Sequence, residues 1–212
     1  MYRPSHFRED RPEILHALIR AHPLAQLVTA GGQGIEANPL PLLIDPAASA
    51  NGTLRGHLAR ANDQVTTLRA CGQALIIFQG PGAYVSPSWY PSKAEHGKVV
   101  PTWNYVAVHA WGVPRVIDDP VWLRQLIEDL TLSQEQDRPK PWAVSDAPED
   151  FIATMVKAIV GIEIPIDRIE GKWKISQNRS EADRRGVAEG LRAGGNEVMA
   201  ELIEGSLGEL SR

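Results

Sequence analysis

The stretch "VVPTWNYVAVHAWG", Val99–Gly112, decides how this chain is read. It is rich in β-branched and aromatic residues and opens on a proline, the composition of a strand. Period-two alternation sends Trp103, Tyr105, Ala107, His109 and Trp111 to one face, and Thr102, Asn104, Val106, Val108 and Ala110 to the other. A strand that only filled a core would be simpler and more aliphatic. A polar start followed by an apolar continuation suits a strand whose first residues leave the core and meet a ligand.

Working outward, more strands appear on the N-terminal side. "LAQLVTA" and "GIEANPLPLLID" read as a hairpin around Gly31, Gly32 and Gly34. Those glycines lack the spacing and the following helix of a dinucleotide loop, so they are a turn. "GTLRGHLA" is a further strand, and "ANDQVTTLRACG" a short helix capped by Asn62. "QALIIFQG" reads as a buried strand, "AYVSPSWY" as a separate short one, and Thr102–Ile117 as one long strand. The polar "YPSKAEHGKV" between them reads as a mobile loop. Leu24–Ile117 is thus a mostly antiparallel β unit, consistent with a small barrel.

Helices flank it. "DRPEILHALIRAHP" starts at an Asp10 cap and stops at Pro23; "DPVWLRQLIEDLTLSQ" and "EDFIATMVKAIV" carry apolar residues at helical spacing. "GIEIPIDRIEGKWKIS" returns as a strand pair, and the tail from Ser180 is polar and helical. One domain spanning 1–212 is expected, a barrel with helical additions at the N-terminus and after residue 118.

The composition narrows the classes. With 43% hydrophobic residues the 212-residue chain can pack a core. It has no apolar run of about 18 residues and no secretory signal at its start, and Cys71 stands alone, so a cytoplasmic protein that spans no membrane is expected. A formal net charge of −4 weighs against holding DNA by phosphate neutralisation. The six histidines show no zinc-site spacing, so no metal is expected, and there is no Walker sequence or nucleophile elbow. No helix-turn-helix with its tight glycine turn, no zinc finger and no basic region is visible.

What remains is a set of donor-rich and aromatic clusters at strand ends. "GHLARAN" places His57, Arg60 and Asn62 where a strand passes into a helix; Arg60 suits a phosphate or is a plain surface arginine. "YVSPSWYPSK" offers Ser86, Ser88, Trp89, Tyr90 and Lys93. "KWKISQNRS" stacks Lys174, Ser176, Gln177, Asn178 and Arg179, or is a solvated helix entry with Ser180 as cap and Asp183 as the capping-box acid. Together they suggest a flat, anionic, hydrogen-bonding ligand.

"MYRPSHF", "GHLARAN", "FQGPGAYVSPSWY", "VPTWNYVAVHAWG" and "KISQNRSEADRRGVAEGL", in this order from Met1 to about Leu191, resemble the PaiB-type FMN-binding negative transcriptional regulators. The resemblance implies an α+β fold, an FMN-binding split β-barrel that is mostly antiparallel with peripheral helices. It also implies a homodimer with FMN in a groove between the subunits. On that basis His57, Leu58, Ala59, Arg60, Ala61 and Asn62 are the first ligand contacts, with Arg60 on the phosphate. Ser86, Pro87, Ser88 and Trp89 follow, then Pro101, Thr102, Trp103 and Asn104 as a wall of the groove. Lys174, Gln177, Asn178 and Arg179 reach across from the partner subunit. One position departs from the pattern: Val65 stands where family members often carry an aromatic residue.

DNA as a partner is implied by the resemblance alone. The alternative is an FMN-dependent oxidoreductase, a flavin reductase or oxidase of the split-barrel class without direct DNA binding. A flavin brings its own redox chemistry, so the missing acid–base machinery does not exclude an enzyme, and no catalytic residue is assigned.

Overall fold

The computed structural model describes residues 1–32 and 34–209. The centre of the expected hairpin turn, residue 33, and the last three residues of the helical tail lie outside the described residues. The chain divides into two compact units, each discontinuous in sequence. Unit one comprises Met1–Leu15, Gln79–Val108 and Glu170–Arg212; unit two comprises His16–Phe78 and His109–Ile169.

In unit two a hairpin of β2 (Leu24–Gly31) and β3 (Gly34–Pro41) pairs in register from Leu24↔Pro41 to Gly31↔Gly34. Gly34 sits at φ +107°, a conformation that glycine adopts without steric cost and that closes the turn. β2 also pairs with Leu75–Ile77 at the start of β6 (Ala74–Val85). The second sheet runs β4 (Leu43–Asp45), β5 (Thr53–Ala59), β9 (Ile159–Pro165), β8 (Arg115–Ile117), with every neighbouring pair antiparallel. Helix α2 (Gln64–Ala70) packs on β2, while α4 (Pro120–Glu135) and α5 (Glu149–Lys157) pack on β9. Leu123, Val144, Ile152 and Val156 form the apolar cluster beneath those two helices. α4 starts where the sequence says it should, with the Asp119 carboxylate accepting from Val121 N at 2.9 Å.

Unit one holds the strand order β1 (Arg8–Glu9), β10 (Arg168–Lys174), β7 (Thr102–Gly112), β6. Arg8 lies opposite Lys172 and Glu9 opposite Gly171. The short α3 (Ser92–His96) follows β6, and α6 (Glu181–Ala193) with α7 (Glu197–Glu209) follow β10. Helix α1 (Pro12–Ala21) and strands β6, β7 and β10 each pass from one unit to the other along the chain.

Four sequence expectations change. "QALIIFQG" and "AYV" are one twelve-residue strand, β6, rather than two. Pro81 lies beyond the residues paired with β2, so its missing N–H breaks no bond to that strand. The single strand expected over Thr102–Ile117 is instead two: β7 ends at Gly112, where a Cβ would fall 2.1 Å from the Pro165 carbonyl oxygen. Pro114 follows, and β8 resumes against β9. "YPSKAEHGKV" carries α3, closed by Gly97 at φ +66°, rather than a plain loop. The polar tail is a helical hairpin: α6 and α7 are joined by Gly194, Gly195 (φ +80°) and Asn196, a tight glycine turn not seen in the sequence. Its buried seam is Val187, Ala188 and Leu191 against Met199, Ala200 and Ile203.

Candidate functional site

The motif strings of unit one meet in space for identifiable reasons. Ser86 accepts from Ser88 N at 3.2 Å and opens a 3-10 turn over Pro87–Trp89. The indole of Trp89 then lies against α6, which carries glycines at 186 and 190, one turn apart. A Cβ on Gly190 would sit 2.4 Å from the indole, and one on Gly186 would sit 2.1 Å from the Trp89 carbonyl oxygen. Asp183, buried on α6, accepts from Ser92 N (3.1 Å) and Ser92 Oγ (2.8 Å), and the Arg179 guanidinium lies 4.8 Å from the Tyr90 ring centroid. Ser180 caps α6 through Asp183 N at 3.2 Å, as its spacing indicates, but the Asp183 carboxylate serves the α3 loop.

At the start of β7, Lys174 Nζ donates to Thr102 Oγ1 (2.7 Å) and to the Trp103 carbonyl. Its pKa is pushed down by burial first, then by Lys172 and Arg179 nearby. Asn104 is wholly buried; its Nδ2 donates to Ser176 Oγ at 2.9 Å while its Oδ1 has no partner. Turning the amide over leaves an unpaired donor instead, so this residue lacks one partner either way. Ser176 has φ +67°, the one non-glycine residue with positive φ among the described residues. A left-handed conformation costs an L residue about 1–2 kcal/mol, so the bend that presents this hydroxyl is strained. Trp103 is 60% exposed, edge-on to Tyr84 at 6.1 Å between ring centroids. Pro101 and Asn178 are exposed beside these groups, and Gln177 is bound to the backbone of Ile175 and Trp173.

The "GHLARAN" residues belong to unit two. Leu58 is a core residue, and Ala59 and Ala61 are exposed. His57 lies opposite Gly161, on a face where the Trp122 ring fills the space a Cβ on Gly161 would need (2.2 Å). Its Nδ1 is buried without a partner, and burial lowers its pKa. Asn62 accepts from Gln64 N at 2.9 Å, the capping role expected of it. Arg60 holds the turn from α5 into β9. Its backbone N–H donates to Ala158 O (2.8 Å), Nε to Lys157 O (3.0 Å) and Nη2 to Ile159 O (2.9 Å), while Nη1 meets Asp118 (2.6 Å). Asp118 also takes Arg69 at 2.6 Å, and the two guanidinium groups hold its carboxyl below the usual range. Three of Arg60's five N–H groups are therefore committed, leaving two.

The residues assigned from the sequence thus fall into two sets. Unit one brings together those at 86–89, 101–104 and 174–179, and unit two carries those at 57–62. The sequence reading passed over Asp118, Arg69 and Lys172. For Lys172 the signal was present: "KWK" puts two lysines on one face of a strand. A flavin mononucleotide presents carbonyl and ring-nitrogen acceptors, an imide N–H and a phosphate. Within unit one, the buried Asn104 amide with its open valence has the chemistry to meet such acceptors or the imide. Within unit two, separately, the unpartnered His57 nitrogen and the spare Arg60 donors have the chemistry to meet polar groups of the same kind. No group of three or more His, Cys, Asp or Glu that could hold a metal occurs among the described residues.

The fold is that of the split-barrel flavin-binding proteins, an α+β class built on antiparallel sheets. The flavocytochrome Anf3 from Azotobacter vinelandii superposes with a TM-score of 0.58 at 12% identity, over 82% of this chain and 72% of that one. A FAD- and heme-binding protein from Mycobacterium smegmatis does so with a TM-score of 0.57 at 16% identity, over 79% and 73%. The family model described as "Putative FMN-binding domain" matches residues 1–168, and the chain belongs to that family. The cofactor that membership assigns is FMN. Among curated relatives, the protease synthase and sporulation protein PAI 2 of Bacillus subtilis is 33% identical over 98% of both chains. An uncharacterized protein of Emericella nidulans is 37% identical over 90% of both. No described helix is long and apolar enough to cross a membrane.

Proposed function

We propose that this protein is a homodimeric negative regulator of transcription whose FMN lies in a groove built by both subunits. The observation that carries the flavin part is Asn104: a fully buried amide with one unpaired atom, fixed by a strained serine, in the motif expected to wall the flavin. Such an amide is costly to leave unpaired and favours a hydrogen-bonding ligand. Trp103, Thr102 and the loop Ser86–Trp89 supply the apolar and hydroxyl contacts of that wall. The 57–62 segment supplies Arg60, whose two remaining N–H groups meet the phosphate; its guanidinium is already fixed and loses little entropy on binding. FMN, when bound, supplies the redox chemistry, and these side chains orient it and exclude water.

The dimer is supported by exposed aromatic surface in unit one. Tyr2 is 83% exposed and Trp103 60%, and Tyr84 and Val100 are also open. Exposed aromatic surface of this kind is what a subunit interface would cover. Regulation is supported by kinship with a protein named for protease synthesis and sporulation. The helical hairpin does not support direct DNA reading: α7 carries Glu197, Glu201 and Glu204 and no Lys or Arg. Regulation through a protein partner or through flavin state fits that charge better.

The test is the purified full chain. A yellow protein that releases FMN on denaturation, and runs as a dimer in light scattering at micromolar concentration, is expected. A stable colourless monomer that takes up no added FMN would overturn the reading. Rapid reduction by NADPH without any effect on transcription would move the protein to the reductases.

A further inference from the structure

Lys172 is a charge of unit one without a hydrogen-bonding or ionic partner among the described residues, yet it is only 7% exposed. Buried lysines are almost always paired. Its ammonium is 5.0 Å from the Tyr105 ring centroid and 5.7 Å from that of Tyr2, contacts that soften a cation without neutralising it. Lys174 stands two residues along on the same face of β10, its ammonium on Thr102 and 5.8 Å from the Phe7 ring. Arg8 lies opposite Lys172 in register and shares that face.

The acids nearby are already occupied. Glu170 is taken by the Met1 ammonium (3.1 Å) and Arg3 (3.6 Å), Asp10 by Arg3 (2.8 Å) and Arg8 (3.7 Å), and Glu9 by Arg11 (2.5 Å). Two ammonium groups therefore face each other's repulsion, and burial and Lys172 together push the Lys174 pKa down. A monoanion would neutralise one of them; a phosphate dianion matches both.

We infer that Lys172 and Lys174, framed by Tyr2, Tyr105 and Thr102, form a binding site for the phosphate group of an organic ligand. That phosphate belongs to a small phosphorylated ligand other than the flavin, whose own phosphate is proposed at Arg60. The site itself does not rest on the flavin-binding reading.

The experiment measures the melting temperature of the full chain against inorganic phosphate, with chloride at matched ionic strength as control. Phosphate raises the wild-type melting temperature beyond chloride, and Lys172→Met weakens its binding about tenfold or more. Lys172→Arg retains it. Lys172→Met keeps the buried stem and removes the unpaired charge, so it folds at least as stably without phosphate, and a folding failure does not mimic the result. Repeating the titration with saturating FMN or riboflavin identifies the source. If the effect persists under FMN, the ligand is a second one, as proposed. If FMN abolishes it and riboflavin spares it, the lysines hold the flavin's own phosphate, which overturns both the separate ligand and the assignment of that phosphate to Arg60. No advantage of phosphate over chloride, or equal phosphate binding by Lys172→Met, overturns the site. Phosphate binding without FMN uptake leaves the site standing and removes the flavin reading.

Discussion

The indole of Trp89 occupies the space that a side chain at Gly190 would need, 2.4 Å from a Cβ built there. The relationship ties the "SPSWY" loop to α6, and with Gly186 it makes two positions of one helix face intolerant of any side chain. Alanine is favoured over glycine in a helix interior by about 1 kcal/mol, and overpacking costs about 1–3 kcal/mol. At Gly190 the obstacle is a ring that can shift; at Gly186 it is the Trp89 backbone carbonyl. Gly186→Ala is therefore expected to lower the melting temperature by several degrees and Gly190→Ala by less. Calorimetry on both variants checks the order, and a Gly186→Ala variant more stable than wild type would contradict the packing.

Arg60→Ala removes two bonds to main-chain carbonyls and one to Asp118. The side chain is nearly half exposed, so solvent screening holds the loss of stability to about 1 kcal/mol. Its proposed contact with phosphate adds a selective effect: FMN affinity falls about tenfold or more while riboflavin changes little. Fluorescence titration with both flavins separates the two roles. Equal losses for FMN and riboflavin would confine Arg60 to holding the turn between α5 and β9.

Burial holds the His57 pKa below its ordinary value of about 6.5. Between that lowered value and about 6.5 the unfolded chain binds more protons than the folded one, so stability rises with pH through this window. Acidification below about pH 6.5 should destabilise the protein until the folded imidazole also protonates. His57→Gln should flatten that part of the melting-temperature profile relative to wild type. An unchanged slope in the variant would assign it to other groups.

Binding to DNA should be weak, indifferent to sequence and lost near physiological salt, because the chain carries a net charge of −4 and α7 presents glutamates. A gel-shift salt titration with oxidised and reduced protein measures this. Tight, sequence-selective binding at physiological salt would make the regulator a direct reader of DNA.

Local chemistry was legible in the sequence wherever the partners lay close along the chain. The Ser180 cap of α6, the Asn62 cap of α2, the β2–β3 hairpin and the alternation of β7 all followed from spacing within one element or its immediate neighbours. The motif strings and the family they mark could be read for the same reason. The tertiary structure decided what depends on residues far apart. Arg60 holds carbonyls 97 and 99 residues away. Glycines 186 and 190 are explained by Trp89, and the β7–β8 break by the approach of Pro165 to Gly112. Lys172 looked like any solvated strand lysine until folding buried it and gave every nearby acid to another cation. A sequence names the charges, but whether a charge is paired depends on which distant residues the fold brings within reach, and that competition is settled only in three dimensions.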